Sequence, residues 1–357
     1  MKANGISTFK IAATYIGTVV GAGFASGQEI LQFFAVFGSM GLVGLLIVTL
    51  LFMVLGYIIM ELGHSLKAGS HLKIVRFAGG RYIGSLIDFI ITFFLFGALT
   101  AMIAGSGAML EQQFGIPSIW GNLVMAAVTV VTVLTGIEGV IKSVSFAVPF
   151  LLVSAVGISI GTVFIAPAEP GIVQTGTPAN GLISNWLWAA VLYTSYNTVL
   201  SIAVLGPLGS KAESRRAIRR GAILGGLGLG LGAAAIFLAL SRNITGIMNM
   251  EVPMAFIAGR ISLAIQIIYV VVLLAEIYTT AVGSLFGFTA RMEDMKMPGG
   301  RLLIIGSALL ALIASRFGFS NLVRYLYPLV GYGGIVMLLG LLYAGYKMYM
   351  REKTRPV

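Results

Sequence analysis

Cysteine is absent from this chain, which removes disulfides, thiolate metal sites and cysteine nucleophiles. Charge is scarce: 10% of the residues are Asp, Glu, Lys or Arg, against about 25% in soluble domains. Histidine occurs twice, at His64 and His71. Seven apart and with no acidic partner expected, the pair is weak evidence for a metal. There is no Walker loop, no HExxH and no GxSxG. Gly21-Ala22-Gly23 lacks the strand–turn–helix that a dinucleotide loop needs. An enzyme is therefore the least supported class, and no cofactor is expected beyond a coupling ion. Ten-residue alternating strands are also missing, which argues against an outer-membrane barrel.

What is present is apolar. Hydrophobic residues make up 58% of the 357, and the mean hydropathy is +0.99. Apolar runs of 18 or more recur along the length, the mark of an all-α polytopic membrane protein. The first run has no small-residue cleavage pattern and reads as a retained span. Ten transmembrane helices are expected, at about 8–34, 40–62, 84–106, 119–136, 140–166, 183–206, 218–240, 256–289, 301–317 and 325–349. With the N-terminus inside, 19 of the 23 Lys and Arg residues fall on the cytoplasmic side. Only Arg242, Arg260, Arg316 and Arg324 lie outside. That skew predicts an N-in, C-in topology. It also explains the net charge of +11 without nucleic acid, which is not expected as a partner. The basic run from Lys211 to Arg220 reads as a topology determinant.

Five spans, a linker and five more spans give each half an odd number of crossings, the arithmetic of a 5+5 inverted repeat. The expected units are a first repeat over 1–166, an extracellular linker over 167–182, a second repeat over 183–349 and a cytoplasmic tail over 350–357. The stretch Gly17 to Glu29 holds four glycines in the middle of span 1. Glycine disfavours helix interiors and permits other geometry. Two readings stand: a broken helix whose freed backbone groups line a wet site, or a small-residue face for close packing. The repeat predicts a matching break in span 6, where Tyr193-Thr194-Ser195-Tyr196-Asn197-Thr198 places hydroxyls and an amide at the centre. The alternative there is a continuous helix with a polar stripe.

Charges inside spans are costly and usually functional. Glu276 lies midway along span 8, with Thr279 and Thr280 on the same helix face and room beside them at Gly283. A carboxylate with two hydroxyls suits a small hard cation such as Na+, or a proton; the alternative is a protonated glutamate hydrogen-bonded to a neighbouring helix. Glu29 is expected to line an outer vestibule, to pair with Arg324 as a gate, or to be a wetted interfacial residue. Asp88 is expected either to pair with Lys10 as an inner gate or to have no special role. Phe93, Phe94 and Phe96 are read as bordering a pocket or as plain packing. Asn243-Ile244-Thr245 is a glycosylation sequon that matters only in a eukaryotic secretory pathway.

The run Gly17-Thr18-Val19-Val20-Gly21-Ala22-Gly23 resembles the first-span signature of the leucine-transporter fold, shared by the amino acid–polyamine–organocation superfamily. More closely, Gly21 to Glu29 together with Gln112-Gln113-Phe114-Gly115-Ile116-Pro117 resembles the YkvI family of bacterial membrane proteins. The resemblance implies a multi-pass protein of the bacterial cytoplasmic membrane, working as an ion-coupled symporter of a small solute, first an amino acid or related zwitterion. A ligand sensor of the germinant-receptor kind, without flux, is the alternative. It further implies that the carbonyls of Gly17 and Val20 and the hydroxyls of Thr279 and Thr280 hold Na+, with Glu276 tightening that site or carrying a proton. Ala22 and Gly23 would offer N–H groups to a substrate carboxylate. Val19, Phe24, Tyr193, Ser195, Tyr196 and Asn197 would complete the substrate pocket. Phe24 stands where sodium symporters with a second ion site carry asparagine, which puts a second Na+ in doubt. Partners are then the solute, the bilayer and, as an open option, a second copy in a homodimer.

Overall fold

The computed structural model describes residues 5–68, 71–135, 157–158, 161, 181–294 and 300–353. Most of the expected fifth span and most of the linker lie outside these residues. Among the described residues the chain is helical, with one isolated bridge between Ile6 and Ala212.

The expected first span is not one rod. Helix α1, Thr8–Val19, stops at Val20 (φ −74°, ψ 113°) and Gly21 (φ −127°, ψ −176°), both extended. A single turn, α2, Ala22–Ala25, follows; Gly27 then turns at φ +81°, and α3, Gln28–Phe33, begins. Only the second turn demands glycine, because a positive φ is costly for any residue with a Cβ. Gly21 has an ordinary φ, and a Cβ built on it meets no atom within 4 Å. At this position the glycine leaves space rather than supplying conformational freedom or a packing face.

The long helices are α4, Ser39–Ser65; α5, His71–Phe114, interrupted at Gly80; α7, Trp186–Ser210; α8, Arg215–Ser241; α11, Leu263–Asp294; and α13, Phe319–Lys353. All six are long and apolar enough to cross a membrane. Shorter helices are α6, Ser118–Leu134, α9, Ile244–Ile247, α10, Pro253–Ile261, and α12, Arg301–Ala314.

Packing divides along these lines. Helix α4 lies against α7 and α8, α1 against α8, α11 and α13 against α5, and α13 against α7. Lipid gives no hydrophobic drive between helices, so close approach and hydrogen bonds carry the association. A Cβ at Gly63 would land on the Gly206 carbonyl, and one at Gly209 on the Met60 carbonyl, so α4 and α7 touch backbone to backbone. Tyr15 is buried between α4 and α8 and donates its hydroxyl proton to the Phe52 carbonyl at 2.8 Å.

The break expected in the sixth span is not there. Helix α7 runs unbroken through Tyr193–Thr198, with Pro207 in its last turns. Its polar side chains bond the backbone instead of replacing it: Asn197 Nδ2 donates to the Tyr193 carbonyl at 3.0 Å and Ser201 to the Thr198 carbonyl at 3.2 Å. Such back-bonding is compatible with an intact helix. The sequon asparagine, Asn243, is 2% exposed; its side chain donates to the Ala239 carbonyl and accepts from Arg260. It is a buried helix-end residue, closed to a glycan.

Candidate functional site

The interruption at Val20-Gly21 opens onto a cavity of about 240 Å³. One wall is the backbone from Gly17 to Gly23, together with Glu29. Opposite it stand Glu276, Thr279, Thr280 and Gly283 of α11. Tyr196, Asn197 and Leu200 come from α7, Phe94, Ala98 and Met102 from α5, and Tyr327 from α13. The volume is below the ~300–1,000 Å³ of drug-sized ligand sites, which fits a small solute.

Ending α1 at Val19 leaves the carbonyls of Gly17, Thr18 and Val19 without helical partners, while that of Ile16 accepts the Val20 N–H at 2.8 Å. The chain around them lines the cavity, so oxygen acceptors are concentrated there. Glu276 is 3% exposed, and its Oε2 has no hydrogen-bond partner among the described residues. Thr279 donates to the Glu276 carbonyl at 3.0 Å. A Cβ on Gly283 meets nothing within 4 Å, so α11 is open beside its carboxylate and hydroxyls.

Glu29 departs from its expected place. It is 5% exposed and turned inward, where Oε2 accepts the Tyr196 hydroxyl proton. Its other oxygen is the nearest atom that a Cβ on Gly23 would strike. Arg324 does not line the cavity, and the expected outer gate with Glu29 gives way to this inward contact. The turn at Gly27 resets the helix phase and swings the side chain in, which a single-helix reading of span 1 does not anticipate.

Asp88 also has other partners. It pairs with Arg291 at the end of α11 and with His71 Nε2 at 3.3 Å. Arg291 Nη2 lies 2.9 Å from the same imidazole nitrogen. Lys10 is exposed, and the expected Asp88–Lys10 pair is replaced because α5 packs on α11, bringing position 291 to the carboxylate. His71 thus has an acidic partner that its sequence neighbours do not reveal.

Of the expected substrate residues, Val19, Ala22, Gly23, Tyr196 and Asn197 line the cavity, as do Gly17, Val20, Glu276, Thr279 and Thr280 of the ion set. Ser195 is directed elsewhere, donating to the Gly331 carbonyl of α13 at 2.7 Å. Phe24 is buried near Gly232 of α8. Tyr193 packs among Phe33, Phe34, Phe52 and Tyr196, with ring centroids 5.0–6.1 Å apart. Phe94 borders the cavity, whereas Phe93 is 47% exposed and Phe96 packs on Phe288. The sequence reading missed Tyr327: a lone tyrosine in an apolar span carries no signal until its neighbours are known.

No family model matches the chain. It is 30% identical over 336 residues to the protein described as uncharacterized membrane protein YkvI of Bacillus subtilis (strain 168), covering 94% of this chain and 95% of that one. The chain belongs to the YkvI family of membrane proteins. A second relative, the uncharacterized protein YyaD of the same organism, is 27% identical over 328 residues, with 92% and 94% covered. Among solved structures, the inward-facing conformation of Mhp1 aligns with a TM-score of 0.64 at 18% identity, over 92% of this chain and 74% of that one. A substrate-bound, outward-open Na+-coupled sialic acid symporter aligns at 0.60 and 13% identity, covering 96% and 79%. A manganese transporter mutant of Eremococcus coleocola aligns at 0.55 and 14% identity, covering 95% and 77%. These likenesses assign this YkvI family member the leucine-transporter fold.

Proposed function

We propose that this protein is an ion-coupled secondary transporter of a small solute bearing an amino group. The observation that carries the reading is the single cavity shared by the interrupted first crossing and the carboxylate–hydroxyl patch of α11. A wet, non-helical backbone at membrane depth is tolerated where it lines such a cavity, and transporters place solute and ion sites there. The Na+-coupled symporter among the structural neighbours supports the same reading.

In this account the carbonyls of Gly17 and Val20 and the side chains of Thr279, Thr280 and Glu276 hold the coupling ion, Na+ or H+. The solute sits beside them against Val19, Ala22, Gly23, Tyr196 and Asn197. Ten spans in two inverted repeats, with both termini in the cytoplasm, give alternating access as one bundle rocks against the other helices. The ion favours the conformation that holds it, and the solute binds that conformation; coupling requires this difference in affinity between states. The pair Asp88–Arg291 ties α5 to α11, so these two helices move as a unit.

Gradient-driven flux in proteoliposomes tests the proposal. Uptake of a labelled solute that follows an imposed Na+ or H+ gradient supports transport. Saturable binding without flux under either gradient replaces it with the sensor reading.

A further inference from the structure

We infer that the solute is an organic amine cation without a carboxylate, held by Glu29 and the aromatic wall of Phe94, Tyr196 and Tyr327. This rests on the transporter reading for what happens to the solute, but the binding chemistry stands apart from it.

The charge pattern comes first. The chain has 12 Asp and Glu residues, and two of them, Glu29 and Glu276, line one cavity of about 240 Å³. No lysine, arginine or histidine lines it among the described residues. Buried charge is tolerated when it is paired, and nothing basic in the wall pairs these two. A solute carboxylate would be a third acid in the same small space, with no cation there to receive it.

The hydrogen-bond pattern agrees. Four of the side-chain donors in the wall are already engaged, and the hydroxyls of Thr280 and Tyr327 complete its donor set. Thr18 gives its proton to the Thr14 carbonyl at 2.7 Å, Thr279 to the Glu276 carbonyl at 3.0 Å and Tyr196 to Glu29. Asn197 donates to the Tyr193 carbonyl at 3.0 Å. An acceptor also remains: Glu276 Oε2 has no partner among the described residues, and Gly17 to Val20, where α1 ends, line the same space. An ammonium has three donors and no acceptor, which complements such a wall.

The backbone N–H groups of Ala22 and Gly23 are the feature that would favour an acid. Glu29 answers it, because its Oε1 lies against Gly23. A solute carboxylate approaching those N–H groups would therefore meet the protein's own carboxylate close by.

The third element is aromatic. Phe94, Tyr196 and Tyr327 are in mutual contact, with centroids 6.4 Å (Phe94–Tyr196), 5.3 Å (Phe94–Tyr327) and 5.2 Å (Tyr196–Tyr327) apart. All three border the cavity. Aromatic faces attract ammonium groups, more strongly where water is excluded. Glu29 and this wall take the ammonium, which leaves Glu276 with Thr279 and Thr280 for the inorganic cation. Two positive guests then face two acids.

The test is a binding comparison on the purified full chain in detergent, with three matched pairs as probes: ethanolamine and serine, isobutylamine and valine, putrescine and ornithine. Each amine lacks only the carboxylate of its partner. The expected result, by thermal shift and calorimetry in NaCl, is that at least one amine binds tenfold or more tighter than its amino acid. Glu29→Gln lowers that affinity tenfold or more, and Tyr327→Leu, which keeps both acids, lowers it severalfold. The variant Ser195→Ala, outside the cavity, leaves it unchanged. Preference for the amino acid in all three pairs, binding of none of the three amines, or amine binding indifferent to Glu29→Gln and Tyr327→Leu overturns the inference. Because binding is read without flux, a failure to transport leaves this result standing, and a failure to bind amines leaves ion-coupled flux of another solute open to the proteoliposome assay.

Discussion

Tyr196 of α7 donates its hydroxyl proton to the Glu29 carboxylate, joining a continuous helix to the interrupted α1–α3 segment 167 residues away in sequence. Both residues are buried. A hydrogen bond to a charged group contributes about 1.5–3 kcal/mol. Tyr196→Phe is therefore expected to destabilise the protein by about 1–3 kcal/mol, and Glu29→Gln by a similar amount. Because the two share one bond, the double variant should lose clearly less than the sum. Denaturation of all four proteins in the same detergent measures this.

Filling the cavity should remove binding without harming the fold. At Gly21 and at Gly283 a Cβ meets no atom within 4 Å, so a larger side chain at either enters open space rather than packed helix. Gly21→Val and Gly283→Val are expected to express normally, to keep their melting temperature within a few degrees and to lose solute binding. Gly63→Val is the contrast: its Cβ falls on the Gly206 carbonyl, and overpacking of this kind costs about 1–3 kcal/mol or more.

The ion set is tested separately. Thr280→Ala and Glu276→Gln remove a hydroxyl and a charge from the same wall. Each is expected to raise the half-maximal Na+ concentration for solute binding tenfold or more while the expressed amount is unchanged. Should H+ be the coupling ion, Glu276→Gln alone abolishes the pH dependence of binding, and Na+ titration separates the two cases.

His71 gives a pH prediction. It precedes the membrane-crossing part of α5, and burial holds its pKa below the ordinary 6.5; the Asp88 hydrogen bond opposes that shift and the Arg291 charge adds to it. The folded state then binds the imidazole proton more weakly than the unfolded chain does. This contribution to stability is complete above about pH 6.5 and is lost as the pH falls below it through the folded-state value. Melting temperatures measured from pH 7.5 down to 5 should decline, and His71→Gln should flatten that decline.

Much of the cavity wall was legible because local patterns encode it. Thr279 and Thr280 follow Glu276 at helical spacing, so one face of α11 was readable from the row of letters. Gly17 to Gly23 announced a break, although the reason at Gly21 is space and not backbone freedom. The missing break in α7 shows the limit of arguing from repeat symmetry: Asn197 and Ser201 bond backward to their own helix, Ser195 bonds to α13, and no glycine or proline interrupts the middle of the helix. Asp88 and Arg291 lie 203 positions apart, and only the packing of α5 on α11 brings them together. Glu29 was misplaced because one turn at positive φ, at Gly27, changes which way every later side chain in that crossing points.

The most direct test uses the absence of cysteine, which makes the native chain its own background. Gly21→Cys and Thr280→Cys place single thiols on the two facing walls of the cavity, and Ser195→Cys places one against α13. In membranes, a water-soluble thiol reagent should label positions 21 and 280, and Na+ with a bound amine should protect both, while position 195 stays unlabelled. If 21 and 280 are as inert as 195 under every ionic condition, the two walls do not share a wet chamber and the account is wrong.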